Sequence, residues 1–249
     1  MTFVCPIQDQ RLVLDHVVRM PELARSNRFA EASEDTVDAL LEAAAEFAQG
    51  ELAPLDKVGD REKARWRDGT VTTPTGFREA YARFVEGGWM GLSAPVEHGG
   101  QGLPHSLSAA MMEDFQGANL SFALCPMLGL GAIEAIDAYG SERLKRDYLP
   151  KIVSGQWTAT MNLTEPHAGS DVGAIRSRAV PAGGGSWRIS GTKIFITYGE
   201  HDLTDNIVHM VLARTPGAAQ GTKGISLFLV PKTLGDGEPN DLKCVSIEH

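Results

Sequence analysis

The feature that most limits what this chain can fold into is a change of sequence grammar near residue 155. Before it, apolar residues recur every three or four positions; after it, they come in short β-rich runs separated by turn signals. From Thr36 to Leu52 the stripe is Val37, Leu40, Leu41, Ala44, Phe47 and Ala48, with Ser33 or Asp35 placed to cap the start and Pro54 expected to stop the helix. A second helix is predicted from Thr73-Pro74, carrying Phe77, Tyr81, Phe84 and Val85 until Gly87-Gly88. Further helices are predicted over Ser106–Gln116, Leu128–Tyr139 and Ser141–Leu149. Beyond Gly155 the predicted strands are Trp157–Leu163, Ala174–Val180, Trp187–Ser190, Lys193–Thr197, Ile207–Ala213 and Ile225–Val230. Gly183-Gly184-Gly185 fits a hairpin, and Thr215–Thr222 and Gly235–Asp241 read as loops.

The expected fold class is therefore α+β: an all-α helical N-terminal domain over 1–153, then a β-barrel or sandwich over 154–249. With 249 residues, 43% of them hydrophobic, each part can bury its own core. The formal net charge of -9 opposes attraction to nucleic acid or anionic lipid. The amino terminus, starting Thr2, Phe3, Val4, Cys5, Pro6, has no basic region followed by a long apolar run, and no stretch is read as a membrane span; a cytoplasmic protein is expected. Cys5, Cys125 and Cys244 are odd in number and far apart, which suits reduced thiols, and the seven histidines include no His-Glu-x-x-His pair, so no metal is implied.

The stretch with most chemical content is Met161-Asn162-Leu163-Thr164-Glu165-Pro166-His167-Ala168-Gly169-Ser170-Asp171, which leaves a strand and gathers hydroxyls, a rigid proline and a flexible glycine in one loop. Exposed amides and hydroxyls of this kind can bind a polar heterocycle or a pyrophosphate without a fixed counter-charge. On composition alone an ordinary turn is the commoner reading.

Taken with Gly191-x-Lys193-x-Phe195-Ile196-Thr197 some twenty residues later, Thr164-Glu165-Pro-x-x-Gly-Ser170-Asp171 resembles the paired flavin-binding signature of acyl-CoA dehydrogenases. The similarity extends to Gly99-Gly100-Gln101-Gly102, Tyr148-Leu149-Pro150 and Gly224–Pro231, so it covers essentially the whole chain. Tyr198–Leu203, Gly221–Ile225 and Val58–Arg61 resemble the branch that contains 3-methylmercaptopropionyl-CoA dehydrogenases.

The resemblance implies FAD as cofactor and an acyl-CoA thioester as substrate. It implies that Thr164 and Thr197 lie against the isoalloxazine ring, that the backbones of Met161 and Leu163 flank it beside Ile196, and that Phe195, where the family often has Trp, packs an aromatic face on it. Ser170 corresponds to the family serine that meets both FAD and the bound CoA thioester. The implied reaction removes an α-proton with a glutamate while the β-hydride goes to the flavin, giving a trans-2-enoyl-CoA. That glutamate belongs to a carboxy-terminal helical bundle, and the chain stops before it at Ser246-Ile247-Glu248-His249, so no catalytic residue is assigned here and the chain alone is expected to be inactive. Glu248 reads as an exposed strand residue, Glu165 and Asp171 as caps of backbone N–H groups in the turn, and His167, His201 and Asp202 as surface groups. An electron-transfer flavoprotein or similar acceptor, and a homo-oligomer in the full-length protein, complete the implied partners. Acyl-CoA oxidases, nitroalkane oxidases and flavin monooxygenases share the scaffold, and a non-catalytic CoA- or protein-binding remnant is the reading from another class.

Overall fold

A computed structural model describes residues 3–248; the reading at Thr2 and the end at His249 lie outside them. The helical part comprises α1 (Ile7–His16), α2 (Met20–Leu23), α3 (Glu34–Phe47), α4 (Ala53–Glu62), α5 (Phe77–Glu86), α6 (His105–Ala118), α7 (Leu120–Tyr139) and α8 (Glu142–Val153), with a small hairpin of β1 (Arg65–Arg67) and β2 (Thr70–Thr72) between α4 and α5. Ser33 caps α3 by accepting the Thr36 N–H, Asn119 caps α7 through Phe122 N–H, and Ser141 caps α8 through Leu144 N–H.

Pro54 does not stop the first long helix, contrary to the expectation. The chain passes from α3 through one wide turn over Ala48–Leu52 into α4, where proline sits at the start and its missing N–H removes no bond that the new helix needs. The helix predicted at Thr73-Pro74 begins instead at Phe77, after Gly76 in the left-handed conformation (φ 86). The helix predicted from Leu128 begins at Leu120, and Pro126 lies within it.

These helices surround an aromatic core. Phe115 meets Phe47 edge-on at 5.2 Å, Trp89 at 5.5 Å and Phe84 at 6.1 Å between ring centroids. The Gly99–Gly102 stretch is a tight hook: Gly100 donates to Pro95 O, Gln101 to Gly91 O, Gly102 to Ala94 O and Leu103 to Leu92 O. A Cβ on Gly100 would stand 2.1 Å from the Ala94 carbonyl oxygen, so only glycine fits.

The second part is a curled, mixed five-stranded sheet of β3 (Thr158–Asn162), β4 (Arg178–Gly183), β5 (Ser186–Ser190), β6 (Ile207–Arg214) and β7 (Ile225–Pro231). Strand β6 is its spine, parallel to β3 (Thr158↔Ile207 to Asn162↔Val211) and antiparallel to β7 (Val208↔Pro231 to Arg214↔Ile225). At its far end it meets β4 at Arg178↔Arg214, and β4 folds back on β5 through Gly183-Gly184-Gly185, all with positive φ, as the hairpin reading required. The segment predicted as a strand over Lys193–Thr197 is not one. Phe195 (φ 57) and Tyr198 (φ 51) take left-handed conformations that interrupt any ladder. The strand predicted from Ala174 begins at Arg178, because Val172–Ala174 forms a short 3-10 turn.

The two parts share one core. Helix α7 packs on β3, and Ala159, Val208 and Met210 of the sheet join the helical cluster. By length and composition α7 is apolar enough to cross a membrane (mean hydropathy 1.5), but here Phe122, Ala123, Cys125, Ile133 and Ile136 are buried in that core.

Candidate functional site

The loop that follows β3 is built around one carboxylate. Glu165 and Ala168 exchange backbone hydrogen bonds (2.7 and 3.0 Å), closing a tight turn over Pro166-His167. The Glu165 side chain, 4% exposed, accepts the N–H groups of Arg176 (2.6 Å) and Ser177 (2.9 Å) and the ammonium of Lys193 (2.9 Å). Burial by itself would raise its pKa; the hydrogen bonds from Ser177, Arg176 and Lys193 overcome that and hold it at about 2. Glu165 is thus a permanent anion that organises backbone, which agrees with its capping role and removes it as a proton acceptor. Asp171 differs from the expectation: it is exposed, and its carbonyl rather than its carboxylate takes the Ala174 N–H (3.1 Å).

Lys193 also donates to Leu163 O (2.9 Å), and Ile194 N–H donates to Thr164 O (2.9 Å), so the two sequence motifs are physically joined. Thr160 of β3 then donates to Thr197 O at 2.7 Å. Residues 193–201 therefore run as a strap antiparallel to β3, with 194 facing 164, 197 facing 160 and 201 facing 158. Apart from the single bond at Ile194, side-chain hydroxyls replace the backbone ladder that a strand would supply. On this strap Phe195 presents its ring outward, 65% exposed, beside half-buried Ile196 and exposed Thr197.

A groove of about 1510 Å³ takes in Phe195, Ile196 and Thr197 together with Asn162, Ser177, Tyr198 and His209. Of the other sequence-predicted site residues, Leu163 and Thr164 are half-buried and reached through the bonds from Lys193 and Ile194, while Met161 and Ser170 are exposed. These four do not line the groove. Three buried polar atoms of groove-lining residues, Asn162 Oδ1, Ser177 Oγ and His209 Nε2, have no partner among the described residues.

His201 is not the surface residue that the sequence indicated. It is 2% exposed, its Nδ1 accepts the Leu203 N–H (3.1 Å), and its Nε2 therefore carries the hydrogen that meets Thr158 Oγ1 at 2.9 Å. Burial, then the nearby Lys232 charge, lower its pKa to about 4, so it stays neutral. Asp202 is half-buried and accepts both N–H (3.0 Å) and hydroxyl (2.7 Å) of Thr73, tying the strap's end to the helical part. His167 is exposed, as expected of a surface group; it meets Ala174 O at 3.2 Å and lies 3.5 Å from Glu165. Glu248 is exposed but lies outside any strand.

Sequence reasoning missed Arg214. Its guanidinium donates to the carbonyls of Ile175 (2.9 Å), Ala219 (3.0 Å), Gly221 (2.9 Å) and Gly173, clamping two loops at the end of β6. Its only signal was an arginine ending an apolar run immediately before a loop.

Residues 34–156 match the acyl-CoA dehydrogenase N-terminal domain and residues 160–243 the acyl-CoA dehydrogenase middle domain. The chain belongs to the acyl-CoA dehydrogenase family and carries those two domains. Over its whole length it is 48% identical to 3-methylmercaptopropionyl-CoA dehydrogenase of Ruegeria pomeroyi, of which it covers 43%. It is 35% identical to the broad-specificity linear acyl-CoA dehydrogenase FadE5 of Mycobacterium tuberculosis over 98% of the chain, covering 41% of that protein. The fold superposes on the FAD complex of acyl-CoA dehydrogenase from Bacillus anthracis with a TM-score of 0.65 at 26% identity, over 81% of this chain and 31% of that one. The chain thus spans less than half the length of these relatives.

Proposed function

We propose that this chain is the flavin-holding portion of an FAD-dependent acyl-CoA dehydrogenase that converts an acyl-CoA thioester to its trans-2-enoyl-CoA. The observation that carries the reading is the bonded pair of loops, 161–171 and 193–201, which sets an outward-facing aromatic ring and a threonine hydroxyl side by side on a strap held from behind. The residues fit a flavin: Phe195 offers a ring face, and the unpartnered polar atoms at Asn162, Ser177 and His209 leave the groove short of hydrogen-bond partners. Met161, Leu163, Thr164, Ser170, Phe195, Ile196 and Thr197 would hold the cofactor, and Ser170 would also meet the thioester. When bound, FAD supplies the acceptor for the hydride leaving the β-carbon.

The chain's own contribution is orientation and hydrogen bonding. Thr164 and Thr197 hydroxyls would donate to the pyrimidine side of the ring, favouring the anionic reduced form. Glu165, bound on both oxygens, fixes the backbone and takes no proton; the family resemblance implies that the α-proton goes to a glutamate of a carboxy-terminal helical bundle. A soluble, cytoplasmic homo-oligomer handing electrons to an electron-transfer flavoprotein completes the reading.

Titrating the purified chain with FAD tests the cofactor, with quenching of flavin fluorescence expected on uptake. Incubation with a panel of acyl-CoAs and ferrocenium tests the division of roles, with no enoyl-CoA expected. Robust turnover by this chain alone would show that it holds its own base, and no flavin uptake would remove the cofactor assignment.

A further inference from the structure

The strap over residues 193–201 holds an unfavourable shape. Phe195 and Tyr198, both non-glycine, sit at φ 57 and 51, on either side of half-buried Ile196 and exposed Thr197. An aromatic residue in the left-handed region is strained, and such a conformation persists only where its surroundings impose it. At its start the strap is pinned by Lys193 and Ile194, and Tyr198 OH donates to Ser121 O at 2.7 Å. Between those pins one contact reaches the Thr197 carbonyl: the Thr160 hydroxyl, on a side chain 1% exposed.

We infer that Thr160 is a positioning residue, whose hydroxyl fixes the Thr197 peptide and so aims the Phe195–Thr197 face at the flavin. The inference rests on the proposed function for the flavin, but the tie itself does not. A hydroxyl buried inside a strand's inner face needs an acceptor. Here the acceptor is a carbonyl that left-handed residues on both sides have turned away from any regular ladder. Without that bond, the Thr197 carbonyl loses its partner and the two left-handed residues lose the constraint between them, so the strap relaxes towards ordinary extended backbone. Thr160 is buried in β3 and does not line the groove; it acts through Thr197.

The test compares Thr160→Ser, Thr160→Ala and Thr160→Val in the full chain. Serine and alanine both lose the methyl group and differ only in the hydroxyl, so this pair decides the matter even if the valine variant fails to fold. Hydrogen exchange of the Ile194 and Gly199 amides, which donate to Thr164 O and Ile196 O, is expected to speed up about tenfold in Thr160→Ala, with Thr160→Ser near wild type and the β6 amides unchanged. FAD affinity should fall about tenfold in Thr160→Ala and recover in Thr160→Ser, with an altered visible spectrum of the bound flavin only where the hydroxyl is missing. Equal exchange in the serine and alanine variants, or a change spread evenly over the sheet, would overturn the tie. If the wild-type chain takes up no flavin, the proposed function and the flavin-aiming role fail together. If wild type takes up flavin and the alanine variant binds it identically, the positioning role alone fails.

Discussion

Glu165 and Asp114 are both buried carboxylates, and their surroundings send them in opposite directions. Glu165 meets two backbone N–H groups and an ammonium, which hold it at about 2. Its folded value lies below the ordinary one, so its stabilisation is complete above about pH 4.5 and disappears as pH falls towards 2. Glu165→Gln should lower stability by about 3 kcal/mol at neutral pH, because Lys193 is left buried without its counter-charge, and should flatten the acid limb of a denaturation-against-pH curve. Among the described residues Asp114 faces Gln10, Cys5 and Glu113 with no cation, and burial raises its pKa. A raised value reverses the sign: stability is complete at low pH and is lost as pH rises through the folded pKa. Asp114 Oδ2 and Gln10 Oε1 are both buried without a partner among the described residues, so an amide at 114 serves better than an ionised acid. Relative to wild type, Asp114→Asn should gain stability as pH rises above the ordinary carboxylate range, as read in urea denaturation. A larger wild-type stability at the higher pH would refute this. The organising role of Glu165 was legible in the sequence because a carboxylate in a Pro-Gly turn has few other uses. The burial of His201 was not, since its partners Thr158 and Leu203 belong to a strand and to the turn that returns to it.

At the level of elements, periodicity located the helices and most strands, and failed where backbone chemistry outweighed pattern. Lys193–Thr197 has the alternation and β-branched content of a strand, yet the strap's register against β3 requires left-handed residues that no propensity encodes. Pro54 was read as a breaker because the wide turn over Ala48–Leu52 leaves no mark in composition. The glycine hook before α6 was visible as a motif, and the structure supplies its reason in the close approach of Gly100 to Ala94. Gly100→Ala should therefore destabilise the chain by about 2–4 kcal/mol by calorimetry, far beyond the usual effect of this substitution, because the clash is with backbone. An unchanged Tm would mean that the hook can open freely.

The whole molecule is tied together more tightly than its two domain matches imply. Tyr81 OH donates to Gly155 O, Asp202 binds Thr73, Tyr198 reaches Ser121, and α7 lies against β3 in a common core. Helical and sheet parts should accordingly lose structure in one transition, with helix circular dichroism and Trp157 fluorescence falling together; two separated midpoints would show independent halves. The division into helices and sheet was readable from the change near residue 155, whereas these ties join residues dozens of positions apart and leave no local trace.

Helix α7 carries a consequence for how the protein is made. Its twenty residues, mostly apolar, leave the ribosome ahead of β3, the strand that covers one of their faces. Until then, α6 and α4, the earlier helices that pack against it, must shelter them. The interval in which α7 has left the ribosome and β3 has not is thus the moment at which a nascent chain of this kind is most exposed to chaperones and to the membrane-insertion machinery.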